Sequence, residues 1–125
     1  MKENQKITKF QSGNKQTETY KEDDTFVTKH FYNAKNAYVK EFIELKDGIK
    51  KVRHISEKGV TTKLEHFVDD KREGQEIRYF VSKADGSIKS IKNYVNGKLH
   101  GEKTTYNEMG EVIKSEVFED GKLIK

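Results

Sequence analysis

The sequence predicts an all-β chain. Residues 1–125 read as one domain, an antiparallel β-hairpin repeat array of about five units of 23–27 residues in a single extended or rolled sheet. Three observations predict this. Two interleaved series of turn signals run along the chain at nearly one period. Proline, which removes a ladder donor, is absent. Finally, the chain is 32% hydrophobic and 37% charged, with a mean hydropathy of −0.99. That is too little apolar material for two packed layers but enough for one sheet that is wet on a face.

The repeat is plainest at the C-terminal end. Tyr94-Val95-Asn96-Gly97-Lys98-Leu99 returns as Phe118-Glu119-Asp120-Gly121-Lys122-Leu123. Asn-Gly and Asp-Gly are strong hairpin signals, because both central positions of the favoured two-residue turn need positive φ. This series continues back through Asp70 and Gly48 to about Asp24. A second series falls midway, at Gly110, Gly86, Gly59, Asn36 and Gly13. Asn and Asp stand in for glycine because they tolerate left-handed backbone best. Both series stretch between Asp70 and Gly97, which predicts about three extra residues in a turn near Tyr79 to Asp85.

The elements follow in order. Residues 5–11 are an edge strand with Ile7 as its main apolar contact, and residues 15–21 are threonine-rich and carry Tyr20. Residues 25–32 and 37–45 are the most apolar pair. The second could pass for a short amphipathic helix, but its β-branched and aromatic content favours strand. Residues 49–56, 60–68, 73–82, 87–95, 98–106 and 111–118 are further strands, and 122–125 begin an eleventh.

One large side chain recurs before each turn. Tyr20, Leu45, Phe67, Tyr94 and Phe118 form one ladder; Phe10, Tyr32, Ile55, Tyr79 and Tyr106 form another. Such ladders stack from unit to unit as the repeat's own core, with Phe67, Tyr94 and Phe118 substantially buried. The functional alternative is an exposed aromatic binding surface.

The run Tyr94 to Gly110 carries a family likeness. Tyr94, Asn96, Gly97, Lys98, Leu99, His100, Gly101, Tyr106 and Gly110 match an aromatic-x-Asn-Gly-Lys-Leu-His-Gly, aromatic, Gly pattern. In this it resembles the bacterial variant of the MORN repeat found in antitoxin-component-like proteins. Residues 67–74 resemble a degraded copy in which Asp70 replaces the turn glycine and Gly74 stands where Gly101 does. The likeness covers about a third of the chain, and upstream of Gly48 only the spacing supports the units. What the resemblance implies is a MORN-like meander that binds proteins, or in some cases lipids, and little chemistry.

Little in the residues points to catalysis. There is no cysteine, which excludes disulfides, thiolate nucleophiles and cysteine metal sites. No nucleophile elbow, P-loop, dinucleotide fingerprint or His-Glu-x-x-His occurs. His54 is expected to face Lys63, with His66 on the opposite face of the sheet, so the histidines make no zinc site. His100 reads as a turn-proximal structural residue. No enzyme activity, cofactor, metal or small-molecule substrate is expected. No apolar run follows the N-terminal residues, so a cytoplasmic location is expected.

The net charge is +4, all of it in residues 1–62, which hold 13 Lys/Arg against 9 Asp/Glu. Only Arg53, Arg72 and Arg78 are arginine, whereas lysine is the ordinary guard of sheet edges. The expected function is therefore a non-enzymatic protein-binding module, an immunity or antitoxin protein that neutralises a cognate toxin by direct contact. The alternatives are a module for anionic lipid or nucleic acid, or a structural array that associates weakly through its edges. Lys50, Lys51 and Arg53, with the ladder residues Tyr79, Tyr94 and Tyr106, are the candidate partner-binding residues.

Overall fold

In the computed structural model, which describes residues 1–82 and 85–125, the chain is an all-β antiparallel meander. Its strands are β1 (Lys2–Lys9), β2 (Lys15–Glu22), β3 (Thr25–Phe31), β4 (Val39–Lys46), β5 (Ile49–Ile55), β6 (Thr61–Val68), β7 (Lys71–Arg72), β8 (Gly74–Tyr79), β9 (Ile88–Val95), β10 (Lys98–Tyr106), β11 (Val112–Glu119) and β12 (Lys122–Leu123). They form one sheet in sequence order without a crossover. β7 and β8 both pair with β6 and are one strand interrupted at Glu73. The ambiguous segment around residues 37–45 is strand, not helix.

The two turn series lie at opposite ends of the strands and differ in kind. At one end are two-residue turns. Asn96 and Gly97 have φ of 51° and 83°, Asp120 and Gly121 50° and 86°, and Asp47 and Gly48 52° and 78°. Asp69 and Asp70 adopt the same geometry at 50° and 63° without a glycine. At the other end three residues intervene. Ser56 N donates to Val60 O (2.8 Å) and Gly59 N to Ser56 O (2.9 Å), and the Asn107–Glu111 turn repeats both bonds. This is a tight turn followed by a left-handed residue and a bulge, and register shifts appear beside it at His54/Ile55 and Thr105/Tyr106.

One turn departs from the expected pattern, and another carries the expected insertion. The left-handed position near residue 36 is Ala37 (φ 51°), not Asn36, and Ala37 N donates to Ala34 O. The loop from Tyr32 to Tyr38 has two residues more than the Ser56–Val60 turn, which moves the position one residue on. The expected insertion lies between Phe80 and Ser87, whose backbones still bond at 2.9 Å. That loop has three residues more than the Ser56–Val60 turn; its Lys83 and Ala84 lie outside the described residues.

The second motif glycine has a structural reason. Gly74 and Gly101 sit at equivalent breaks with φ of 92° and 99°. Each break aims the strand at the next turn. Gly97 N donates to Arg72 O (2.9 Å) and Gly121 N to Leu99 O (2.8 Å). The side chains at the equivalent positions Glu73 and His100 take the next bonds, accepting from Asn96 N at Glu73 Oε1 (3.2 Å) and from Asp120 N at His100 Nδ1 (3.3 Å). The repeated His-Gly and Glu-Gly pairs are therefore latches that hold one hairpin's turn against the preceding hairpin.

A one-layer sheet encloses little. The buried apolar residues are Tyr20, Val27, Phe31, Val52 and Leu64. Side chains directly opposite in the ladder share a face. The first face carries Tyr20 beside Val27, and the row Phe42, Arg53, Leu64, Ile77 and Ile91. The second face carries Val52 beside Glu65, then Phe67, Glu76, Tyr94 and Phe118.

The ladders differ from expectation in two respects. Phe67, Tyr94 and Phe118 are only half-buried. Tyr20 is not in their row at all. Leu45, Phe67, Tyr94 and Phe118 each lie one residue in from the last pair of their turn, whereas Tyr20 lies two in, with Val27 opposite. One residue of offset exchanges the faces. Phe26, paired with Leu45, takes the place in that row.

Candidate functional site

The strands set the charge pattern of the second face directly. Glu41 pairs with His54, His54 with Lys63, and Lys63 with Arg78. One step along the strands, Glu65 lies opposite Val52, and Glu76 lies opposite Lys92, which lies opposite Lys103. Acids and bases thus alternate along β6, with Lys63 then Glu65, and along β8, with Glu76 then Arg78.

Two carboxylates in this mosaic are buried without a second layer. Glu65 is 5% exposed and Glu76 3%. Longer side chains cover them. His54 Nε2 lies 2.7 Å from Glu65 Oε1, with His54 Nδ1 3.5 Å from Glu41 Oε2. Lys63 Nζ stands 3.6 Å from the same Glu65 oxygen. Arg72 Nη2 donates to Glu65 Oε2 at 2.9 Å, and its Nε stands 3.5 Å from Glu76 Oε2. Arg78 Nε donates to Glu76 Oε1 at 3.0 Å.

Burial pushes the Glu65 carboxyl up, but hydrogen bonds from His54 and Arg72 and the charges of Lys63 and Arg72 outweigh it and hold it below the ordinary range. The Glu65 hydrogen bond in turn raises Arg72. Burial, followed by the charge of Glu76, raises the Tyr94 phenol.

Arg72 is the centre of this arrangement. Its guanidinium lies 5.7 Å from the ring centres of both Phe67 and Tyr94. Lys50 stands over Phe67 and Lys103 over Phe118. At the equivalent position the two units that follow have Leu99 and Leu123, and the unit before has Lys50. The departure from the repeat is thus a cation that ties two buried glutamates to two aromatic rings.

Comparison with protein-family models, curated proteins and solved structures finds no match for this chain.

The six residues singled out from the sequence do not form one site. Lys50 pairs with Leu45 and Phe67 and lies on the second face; Lys51 pairs with Glu44 and His66 on the first. Arg53 also lies on the first face, opposite Phe42 and Leu64. Neighbours on a strand point to opposite sides, so a run of basic residues cannot make a single patch. Tyr94 joins Arg72 near the two-residue turns. Tyr79 and Tyr106 lie at the other end of the strands, opposite Ile88 and Val112. Sequence reasoning missed Glu65, Glu76 and Arg72. The one available signal was Arg72 standing where the repeat has leucine.

His54 lies opposite Lys63, and His66 is on the other face. Among the described residues no group of three or more His, Asp or Glu is arranged to hold a metal ion. Nor is any helix there long and apolar enough to cross a membrane. What the arrangement can do chemically is present a fixed relief of paired charges with an arginine and a tyrosine at its centre.

Proposed function

We propose that this chain is a non-enzymatic protein-binding module that acts by stoichiometric contact, and that its partner is a bacterial toxin which it neutralises. The carrying observation is the Arg72 cluster. Arginine and tyrosine dominate binding energy at protein interfaces, and here both are held in place before any partner arrives. Fixed charges of alternating sign suit a protein surface, which presents both signs. They suit a polyanion poorly, because Glu41, Glu65 and Glu76 interrupt the basic residues. A standard interface takes roughly 800 Å² from each partner, so the contact spans several hairpins. The toxin assignment rests on the resemblance of Tyr94 to Gly110 to the antitoxin-type repeat.

The test is co-expression with the product of the neighbouring gene. The expected result is rescue of growth and a stoichiometric complex that survives gel filtration, both lost in a Tyr94→Glu variant that remains folded. A toxic neighbour that is neither bound nor neutralised sinks the toxin reading. Tight, salt-sensitive binding to anionic vesicles or DNA in its place would reassign the surface.

A further inference from the structure

We propose that a hollow at the three-residue-turn end of strands β5 to β9 receives an acidic side chain of the partner protein. This rests on the protein-binding reading above and names the chemistry of the partner. The hollow has a volume of about 440 Å³ and is bordered by His54, Lys63, Arg78 and Lys89, with Tyr79 and Val81 among its apolar walls. No described acidic residue lines it.

The basic residues stand unusually close. Lys63 and Arg78 are direct cross-strand neighbours, and like charges so placed repel; His54 flanks Lys63 on the other side. Glu41 answers His54 at the end of this row, and two further acids compensate the row from one side. Glu65 answers Lys63, and Glu76 answers Arg78, each two residues along its own strand towards the two-residue turns. On the other side the row faces the hollow. Lys89 on its rim is exposed and has no ion-pair partner among the described residues. A carboxylate entering there would continue the alternation of signs along β6 and β8. The walls of Tyr79 and Val81 would strengthen that interaction by excluding water.

An acidic peptide fits better than a nucleic acid. The glutamates beside the row repel a continuous phosphate backbone, whereas one side chain can enter between them.

The test measures binding of a fluorescein-labelled oligoglutamate peptide of about ten residues at low salt, where charge-assisted association is strongest. Lys89→Glu reverses the rim charge. Val81→Glu puts a carboxylate at the rim while leaving every ion pair in place. Each is expected to weaken binding by about tenfold, the scale of one charge-assisted hydrogen bond replaced by repulsion. Lys122→Glu makes the same change of net charge at the far edge and should alter binding by less than about twofold.

Failure of the peptide to bind, or equal weakening by Lys122→Glu, overturns the proposal. So does an oligothymidylate that binds in a Lys89-dependent way when the peptide does not. If the peptide fails while the neighbouring gene product is still neutralised, only the acidic-partner assignment falls. Peptide binding localised to Lys89 with no protein bound in co-expression supports the hollow and sinks the toxin reading instead.

Discussion

Arg72 and Glu65 are joined across the β6–β7 hairpin by a 2.9 Å charge-assisted hydrogen bond whose acceptor is buried and whose donor is half-exposed. Removing the donor leaves a buried carboxylate with two remaining partners. Arg72→Leu is therefore expected to cost about 2 kcal/mol, below the usual range for a buried pair because water reaches the guanidinium. Adding Glu65→Leu should recover most of that loss, since a buried pair replaced by apolar residues is often neutral. Urea unfolding of the two single variants and the double variant checks this. Strict additivity would show that the two residues are not coupled.

The same carboxylate sets the acid limit of stability. The pKa of Glu65 in the folded chain lies below the ordinary value near 4.5. Its contribution is fully present above that value and disappears as pH falls through the folded one. Glu18 is shifted the same way: burial opposes the shift, and Gln5, Lys2 and Lys15 overcome it. Stability should fall steadily below about pH 4.5, and Glu65→Gln should flatten that fall while lowering the plateau at neutral pH. An unchanged slope in Glu65→Gln would assign the acid transition to other groups.

The latch at Gly101 makes a sharp prediction. Its φ of 99° is outside what L-residues adopt comfortably, and an added Cβ would lie 3.6 Å from the Asn93 Cβ. Space is adequate, so the cost is backbone strain. Gly101→Ala should destabilise by about 1–2 kcal/mol. Hydrogen exchange should show the amide of Gly121, which bonds to Leu99 O, opening more often. Destabilisation with that amide still protected would mean that the strain is absorbed elsewhere.

Tyr94→Ala should cost about 2 kcal/mol, less than the 3–5 kcal/mol of a wholly enclosed aromatic, because the ring is half-buried against Arg72. Thermal unfolding measures it. A cost below about 0.5 kcal/mol would leave Tyr94 with no structural role to set beside the binding one.

The turns were legible because their chemistry is local. Asn96-Gly97 and Asp120-Gly121 specify backbone shape whatever surrounds them. Ala37 was not legible, since nothing in alanine favours positive φ; the neighbouring loop imposes it. Facing was less legible than pairing. Tyr20 occupies the expected strand but the other face, because its distance from its turn differs by one residue. The candidate site was the least legible part. Glu65 and Glu76 look like ordinary solvated acids in the sequence. Their burial depends on Arg72 and Lys92 folding over them from neighbouring strands and on Lys63 from along β6 itself. The triplet Lys50, Lys51 and Arg53 looked like a patch because sequence adjacency hides alternation between faces.

The strictly sequential strand order has a mechanical consequence. The first and last strands are the outermost ones, at opposite edges of the sheet. A pull on the two ends of the described chain therefore acts across the strands, along the direction of the ladder hydrogen bonds. The bonds of an outer strand are then loaded one after another, and the sheet peels hairpin by hairpin like a zip. The latches at Arg72–Gly97 and Leu99–Gly121 add a catch to each tooth at the C-terminal end, so stretching should strip the other end first and yield a staircase of small, unequal steps.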